Sequence, residues 1–193
     1  LYGKLSFNGN RGSKVNLFGF SFDDQVNYQQ VSDLHWKSTG FGSRFILVPT
    51  NTPILVEGNF SYSKYDISLE EENSDVGERS SAISGFNMGF VFTYFLGKDE
   101  LKYGIEVLGF NTDFTFSNQV NRIIQQQDYT TELAGYLKYK TSIKKLLIEP
   151  SFRAHYYASL STFSPEPRLG LKYNATDKLR IKFAGGFYSQ NLI

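Results

Sequence analysis

Between Ile83 and Val107 the chain alternates bulky apolar residues with small or polar ones, on either side of Gly97-Lys98-Asp99-Glu100. Phe86, Met88, Phe90, Phe92, Tyr94 and Leu96 fall on one parity. Gly85, Asn87, Gly89, Val91 and Thr93 fall on the other. The return run sets Leu101, Tyr103, Ile105 and Val107 against Lys102, Gly104 and Glu106. Successive side chains of a strand point to opposite faces, so this period predicts a hairpin with one greasy and one slender face. From Phe86 to Leu96 is about 11 residues, the length of a tilted strand that crosses a bilayer.

The same pattern recurs along the chain and predicts roughly ten strands joined as an up-and-down meander. Leu1 to Phe7 alternates, and Gly9-Asn10-Arg11-Gly12 turns the chain. Trp36 to Val48 and Ile54 to Tyr62 flank Pro49-Thr50-Asn51-Thr52. Later runs turn at Thr141-Ser142-Ile143-Lys144 and at Asn174-Ala175-Thr176-Asp177. Connections that begin at Gly9, Pro49, Gly97, Thr141 and Asn174 read as short. Those that begin at Asp23, Glu70, Ser117 and Ser159 read as longer. Outer-membrane barrels have short periplasmic turns and longer extracellular loops, which gives this alternation directly. A soluble β-sandwich with aromatic faces between two sheets gives no reason for it.

Two places resist the simple parity. Val15 and Leu17 oppose Phe18, Phe20 and Phe22, which leaves the register of Val15 to Phe22 open. Beyond Val107, Phe110, Phe114 and Phe116 fall on the opposite face; a bulge or a strand that projects past the membrane would each produce that switch.

Composition supports the class. Aromatic residues make up 17% of the 193 residues, with 18 Phe and 13 Tyr, and such residues suit pleated surfaces. The net charge of +1 gives no electrostatic case for a nucleic-acid partner. The absence of cysteine excludes a disulfide framework and a thiolate metal site. No run of 18 apolar residues offers a transmembrane helix, whereas alternating barrel strands average to the modest mean hydropathy found here.

The expectation is an all-β transmembrane antiparallel barrel wall with Phe86, Met88, Phe90, Phe92, Tyr94, Leu101, Tyr103, Ile105, Val107, Leu169, Leu171, Ile181 and Phe183 toward lipid. The slender parity carries Lys102, Glu106, Glu132, Lys138, Glu149, Arg153, His155, Glu166, Arg168, Lys172, Arg180 and Lys182. An Arg or Lys that faces lipid near the midplane costs about 2–4 kcal/mol, so these residues are expected to face the lumen. Their mixed sign predicts ion pairs between strands, such as Arg153 with Glu166.

Candidate chemistry adds little. His35 and His155 lack metal-ligand spacing, and Ser151 and His155 would stand about 13 Å apart on one strand, too far for a hydrolytic pair. No catalytic, metal or cofactor residue is therefore assigned. Glu70, Glu71, Glu72, Asp75 and Glu78 could ligate calcium but lack the EF-hand pattern, and a solvated acidic loop is the simpler reading. Two glycosylation-like triplets, at Asn59 and Asn174, fall in a strand and a short turn and are discounted.

The run Ser164-Pro165-Glu166-Pro167-Arg168-Leu169-Gly170-Leu171-Lys172-Tyr173 carries a resemblance. Together with Leu179-Arg180-Ile181-Lys182-Phe183-Ala184-Gly185-Gly186 and Tyr188-Ser189-Gln190-Asn191, it resembles the mid-barrel hairpin of TonB-dependent receptors. Thr131-Glu132-Leu133-Ala134-Gly135 and Glu149-Pro150-Ser151-Phe152-Arg153 give it a Bacteroidetes character. The resemblance implies a barrel of about 22 strands in a Gram-negative outer membrane. It also implies uptake of a scarce ligand (siderophore, cobalamin or glycan) with energy relayed by TonB. On that reading residues 1–193 are part of one barrel domain, and the plug and terminal strands belong to chain outside this sequence. Partners would be outer-membrane lipid, TonB through the plug, and a surface lipoprotein. The alternative reading is a complete small barrel acting as surface hydrolase or adhesin.

Overall fold

A computed structural model describes residues 1–28, 32–70, 77, 79–118 and 122–189. The runs of alternating parity become strands β1 (Tyr2–Asn8), β2 (Lys14–Tyr28), β3 (Ser32–Leu47), β4 (Ile54–Glu70) and β5 (Arg79–Leu96). The second half supplies β6 (Asp99–Ser117), β7 (Ile123–Ile143), β8 (Leu146–Tyr157), β9 (Thr162–Asn174) and β10 (Arg180–Gly186). All ten lie in one antiparallel sheet whose spatial order is the chain order. One short 3-10 turn at Asn10–Gly12 interrupts the strands, and Gly97 takes φ +66° at the β5–β6 turn, a conformation glycine adopts without strain.

No second layer covers either face among the described residues, and no large side chain is fully buried. A sandwich would have placed the aromatic parity between two sheets. Here every strand pairs with its sequence neighbours, so within one sheet the backbone groups of β2 to β9 are paired on both sides.

Several boundaries differ from the sequence expectation, with one cause. The polar stretch after Asp23, expected as a loop, is strand: β2 continues to Tyr28 and β3 begins at Ser32. Likewise β7 begins at Ile123, inside the polar segment Ser117 to Asp128. The longer set of connections is therefore largely extended hairpin. Polarity marked where the strands change environment, not where they end. Of the acidic segment Glu70 to Glu78, the candidate calcium ligands Glu71, Glu72, Asp75 and Glu78 lie outside the described residues.

The two parity problems resolve together. β2 pairs β3 residue by residue from Lys14↔Ile46 to Tyr28↔Ser32. β5 pairs β6 from Leu96↔Asp99 to Ser80↔Thr115, and β6 pairs β7 without a skip from Glu100↔Lys140 to Ser117↔Ile123. No bulge interrupts these ladders, since a bulge would place two residues against one. The sheet keeps its parity, and it is the sequence that exchanges polar and apolar sides partway up the strands.

Candidate functional site

Directly opposed residues of an antiparallel pair share a face, so the register assigns every side chain. Phe86, Met88, Phe90, Phe92 and Tyr94 of β5 stand opposite Gly109, Val107, Ile105, Tyr103 and Leu101 of β6. The ladders carry the same face through Leu171 and Leu169 of β9 to Phe183 and Ile181 of β10. In the other direction they reach Phe60 and Val56 of β4, Phe45 and Phe41 of β3, and Leu17 and Val15 of β2.

Rings on this face pack sideways along the sheet. Phe92 stacks on Tyr103 with centroids 5.2 Å apart, and Phe41 lies 5.9 Å from Phe60 and 5.8 Å from Tyr62. Phe45 covers Gly58 and Phe86 covers Gly109, each ring occupying the space a β-carbon would need. Toward one end of the strands the face turns polar in step. Thr39 and Lys37 follow Phe41, Lys64 and Asp66 follow Tyr62, Ser84 follows Phe86, and Asn111 and Asp113 follow Gly109. Ion pairs Lys64–Asp66 at 2.6 Å and His35–Asp23 at 2.7 Å lie in this polar zone.

The opposite face collects the charges. The ladders place Lys102, Glu106, Glu132, Lys138, Glu149, Arg153, His155, Glu166, Arg168, Lys172, Arg180 and Lys182 on it together. Most are paired. Lys138 meets Glu149 at 2.6 Å, Arg153 meets Glu106 at 3.0 Å and His155 meets Glu132 at 3.0 Å. The anticipated pair of Arg153 with Glu166 does not form, although the two are direct cross-strand neighbours. Glu166 instead accepts a hydrogen bond from Arg168 on its own strand, and its other oxygen accepts from the hydroxyl and the backbone N–H of Ser189. The Arg168 guanidinium lies 4.5 Å from the centroid of the Tyr188 ring.

This face is also the more crowded. Thr93, Thr130, Ala134, His155, Tyr157 and Glu166 are buried on it together with Gly40, Gly42, Gly89 and Gly104, whereas among the described residues only Gly58, Gly109 and Ser117 are buried on the apolar face. With no covering layer, convergence of side chains on the inside of a curved sheet explains the difference. Arg153 on β8 reaches past β7 to Glu106 on β6, and Lys102 on β6 reaches past β5 to within 4.0 Å of Glu57 on β4. Glu106, Tyr136, Lys138, Glu149, Arg153 and Arg168 line a groove of about 360 Å³.

Alternation also sets Glu57 and Tyr188 on the slender parity, although neither was counted among the lumen-facing charges, while Arg44, Tyr136 and Ser189 were missed. Arg44 carries the right parity and lies 3.9 Å from Glu57. Ser189 follows β10, beyond the reach of the alternation. Chemically the face offers opposed charges that satisfy one another. Among the described residues no three His, Cys, Asp or Glu side chains are gathered to hold a metal ion.

No known family model matches the sequence, and no curated protein is similar to it. Solved structures are similar in fold. The outer membrane transporter YddB from Escherichia coli aligns over 90% of this chain and 29% of its own, with 11% identity and TM-score 0.66. The ferric citrate transporter FecA in its unliganded form aligns over 94% of this chain and 35% of its own, with 13% identity and TM-score 0.63. The chain thus spans about a third of the length of each. The ten-stranded meander has the fold of an outer-membrane β-barrel wall.

Proposed function

We propose that this chain forms part of the barrel wall of a TonB-dependent transporter in the outer membrane of a Gram-negative bacterium. The partition of the two faces carries the reading. Five outward positions per strand, from Phe86 to Tyr94 on β5, form an apolar band of the height a tilted strand needs to cross the hydrocarbon core. On this reading the bulky rings meet lipid, and the charges from Lys102 to Lys182 line an enclosed interior.

Two observations favour a wall within a larger barrel. β1 pairs only β2 and β10 pairs only β9 among the described residues, so the sheet has two free edges. A bilayer tolerates no unpaired strand edge, and further strands would close them. The Glu166-Pro167-Arg168 run, shared by resemblance with TonB-dependent receptors of Bacteroidetes type, also holds a buried carboxylate, Glu166, hydrogen-bonded to Arg168 and Ser189. In such a transporter this segment acts passively. It seals against lipid, keeps a polar interior and offers its long hairpins to an incoming ligand, with TonB acting through a plug and with any surface lipoprotein docking outside.

Fractionation tests the reading. The native polypeptide should appear in the detergent-extracted outer-membrane fraction, migrate in a heat-modifiable way and have an intact mass well above the 22.0 kDa of this sequence. Release without detergent, or a native mass near 22.0 kDa, would overturn it.

A further inference from the structure

Carboxylates and cations are distributed unevenly across the charged face. Glu57, Glu100, Glu106, Glu132, Glu149 and Glu166 lie on β4 and on β6 to β9, and each is within ion-pair distance of a basic side chain. The strands at the two edges present only cations on this face. β10 carries Arg180 and Lys182, with Lys172 beside them on β9, and β1 carries Lys4, with Lys14 beside it on β2. None of these basic residues forms an ion pair among the described residues.

Lys182 stands directly opposite Lys172, and like charges so placed destabilise a sheet. The same juxtaposition occurs at Lys102 and Lys138, and there it is relieved. Lys102 leans across β5 to within 4.0 Å of Glu57, while Lys138 turns to Glu149 at 2.6 Å. Each lysine finds its acid on the side away from the other. Lys172 and Lys182 lack that relief. Glu149 shares a shallow groove with them but is held by Lys138. On the far side of Lys182 lies the open edge of β10.

We infer that the strand pairing with β10 in the intact barrel carries an inward-facing carboxylate, placed beside Lys182 and Arg180. The inference rests on the transporter reading, which requires further strands at this edge. The backbone groups along β10 call for a strand, and the cations on its inner face call for an acid. Reach is sufficient, because Arg153 and Lys102 each span one intervening strand to their partners. A carboxylate on the added strand therefore serves Lys182 directly and Lys172 across β10. By charge, β1 is not that strand. Its inner side chains are Tyr2, Lys4, Ser6 and Asn8. A ring closed by pairing β1 with β10 would gather Lys4 and Lys14 near Lys172, Arg180 and Lys182 and supply no acid.

Carbodiimide coupling of the full-length protein in detergent tests the inference. The reagent condenses a lysine amine with a carboxylate in contact with it, the displaced oxygen leaving in the urea, and so records an ion pair as an amide. The Lys138–Glu149 pair at 2.6 Å is the internal standard. Peptide mass spectrometry should find that link, and a second joining Lys182 or Lys172 to an Asp or Glu of the adjacent barrel strand, outside this sequence. Lys182→Arg keeps the charge but cannot be coupled. It should abolish the Lys182 link and leave heat-modifiable migration unchanged. Recovery of the standard with no link from Lys182 or Lys172 overturns the inference. So do links from these lysines only to Glu149 or only to a plug residue. Either result, in a protein whose native mass lies well above 22.0 kDa, leaves the transporter reading standing.

Discussion

Arg153 and Glu166 stand directly opposite each other across β8 and β9, yet each spends its charge elsewhere. Arg153 spans β7 to reach Glu106 on β6 at 3.0 Å, while Glu166 is enclosed by Arg168 and Ser189. A long guanidinium on the inside of a curved sheet can cross a strand, and a short carboxylate cannot follow it. Proximity in register is thus weaker than reach and competition in deciding partners.

A double-mutant cycle on Arg153 and Glu106 should therefore show coupling, and one on Arg153 and Glu166 should not. Both members of the first pair are about a third exposed or more, so solvent screening limits its coupling to about 0.2–1 kcal/mol. Equilibrium unfolding of the full-length protein in detergent would measure both cycles. Equal coupling in the two would show that the observed geometry does not govern the energetics.

Face assignment makes a sharper prediction. On the proposed assignment of faces, Phe90→Arg places a charge near the middle of the band that meets lipid, at a cost of about 2–4 kcal/mol, and should impair assembly. Ser63→Arg puts the same side chain at an exposed position on the opposite, charged face of β4 and should assemble normally. Thr93 would be a poor interior control, because it is only 4% exposed and an arginine there would overpack. Heat-modifiable migration reads both variants, and equal tolerance would reverse the faces.

Parity made the strands and their faces legible. The thirteen-residue apolar set and the charged set were separable from sequence because residues such as Phe90 and Lys102 sit in uninterrupted alternation. What parity could not give was the meaning of its own reversal at Phe18 and Phe110. Sequence alone cannot separate a bulge from a change of surroundings, since both exchange the two faces; only the unbroken ladders decide. Partner choice at Glu166 was illegible for a different reason. Ser189 lies beyond the last strand: the β9–β10 ladder runs on to Phe187, whose N–H donates to the Pro167 carbonyl, and past it the chain folds over the charged face to bring Ser189 to Glu166.

That fold-back gives a further prediction. Glu166 is 3% exposed, and removing its carboxylate in Glu166→Ala strands the Ser189 donors and the Arg168 guanidinium together. Ser189 is exposed and the Arg168 side chain 34% exposed, so water can take over part of the lost acceptor and the cost is that of ordinary hydrogen bonds, about 0.5–1.5 kcal/mol. Hydrogen exchange in the full-length protein should accelerate at the Ser189 amide in Glu166→Ala and much less in Glu166→Gln, which keeps an acceptor. Unchanged exchange in Glu166→Ala would show that Glu166 does not anchor this segment.

On the apolar face, Phe86 lies where a β-carbon of Gly109 would stand, so the two residues share one volume across β5 and β6. Glycine weakens a strand by itself, and an aromatic neighbour laid over it restores the lost packing and shields the backbone. Gly109→Val should therefore force the ring off the sheet and destabilise the barrel by about 1–3 kcal/mol, the usual cost of overpacking. Phe86→Ala should also destabilise, through lost contact area. Combining them should cost less than the sum, because valine fills part of the space that the ring has left. Thermal or urea unfolding of the three full-length variants in detergent would show this, and simple additivity would mean that ring and glycine act independently.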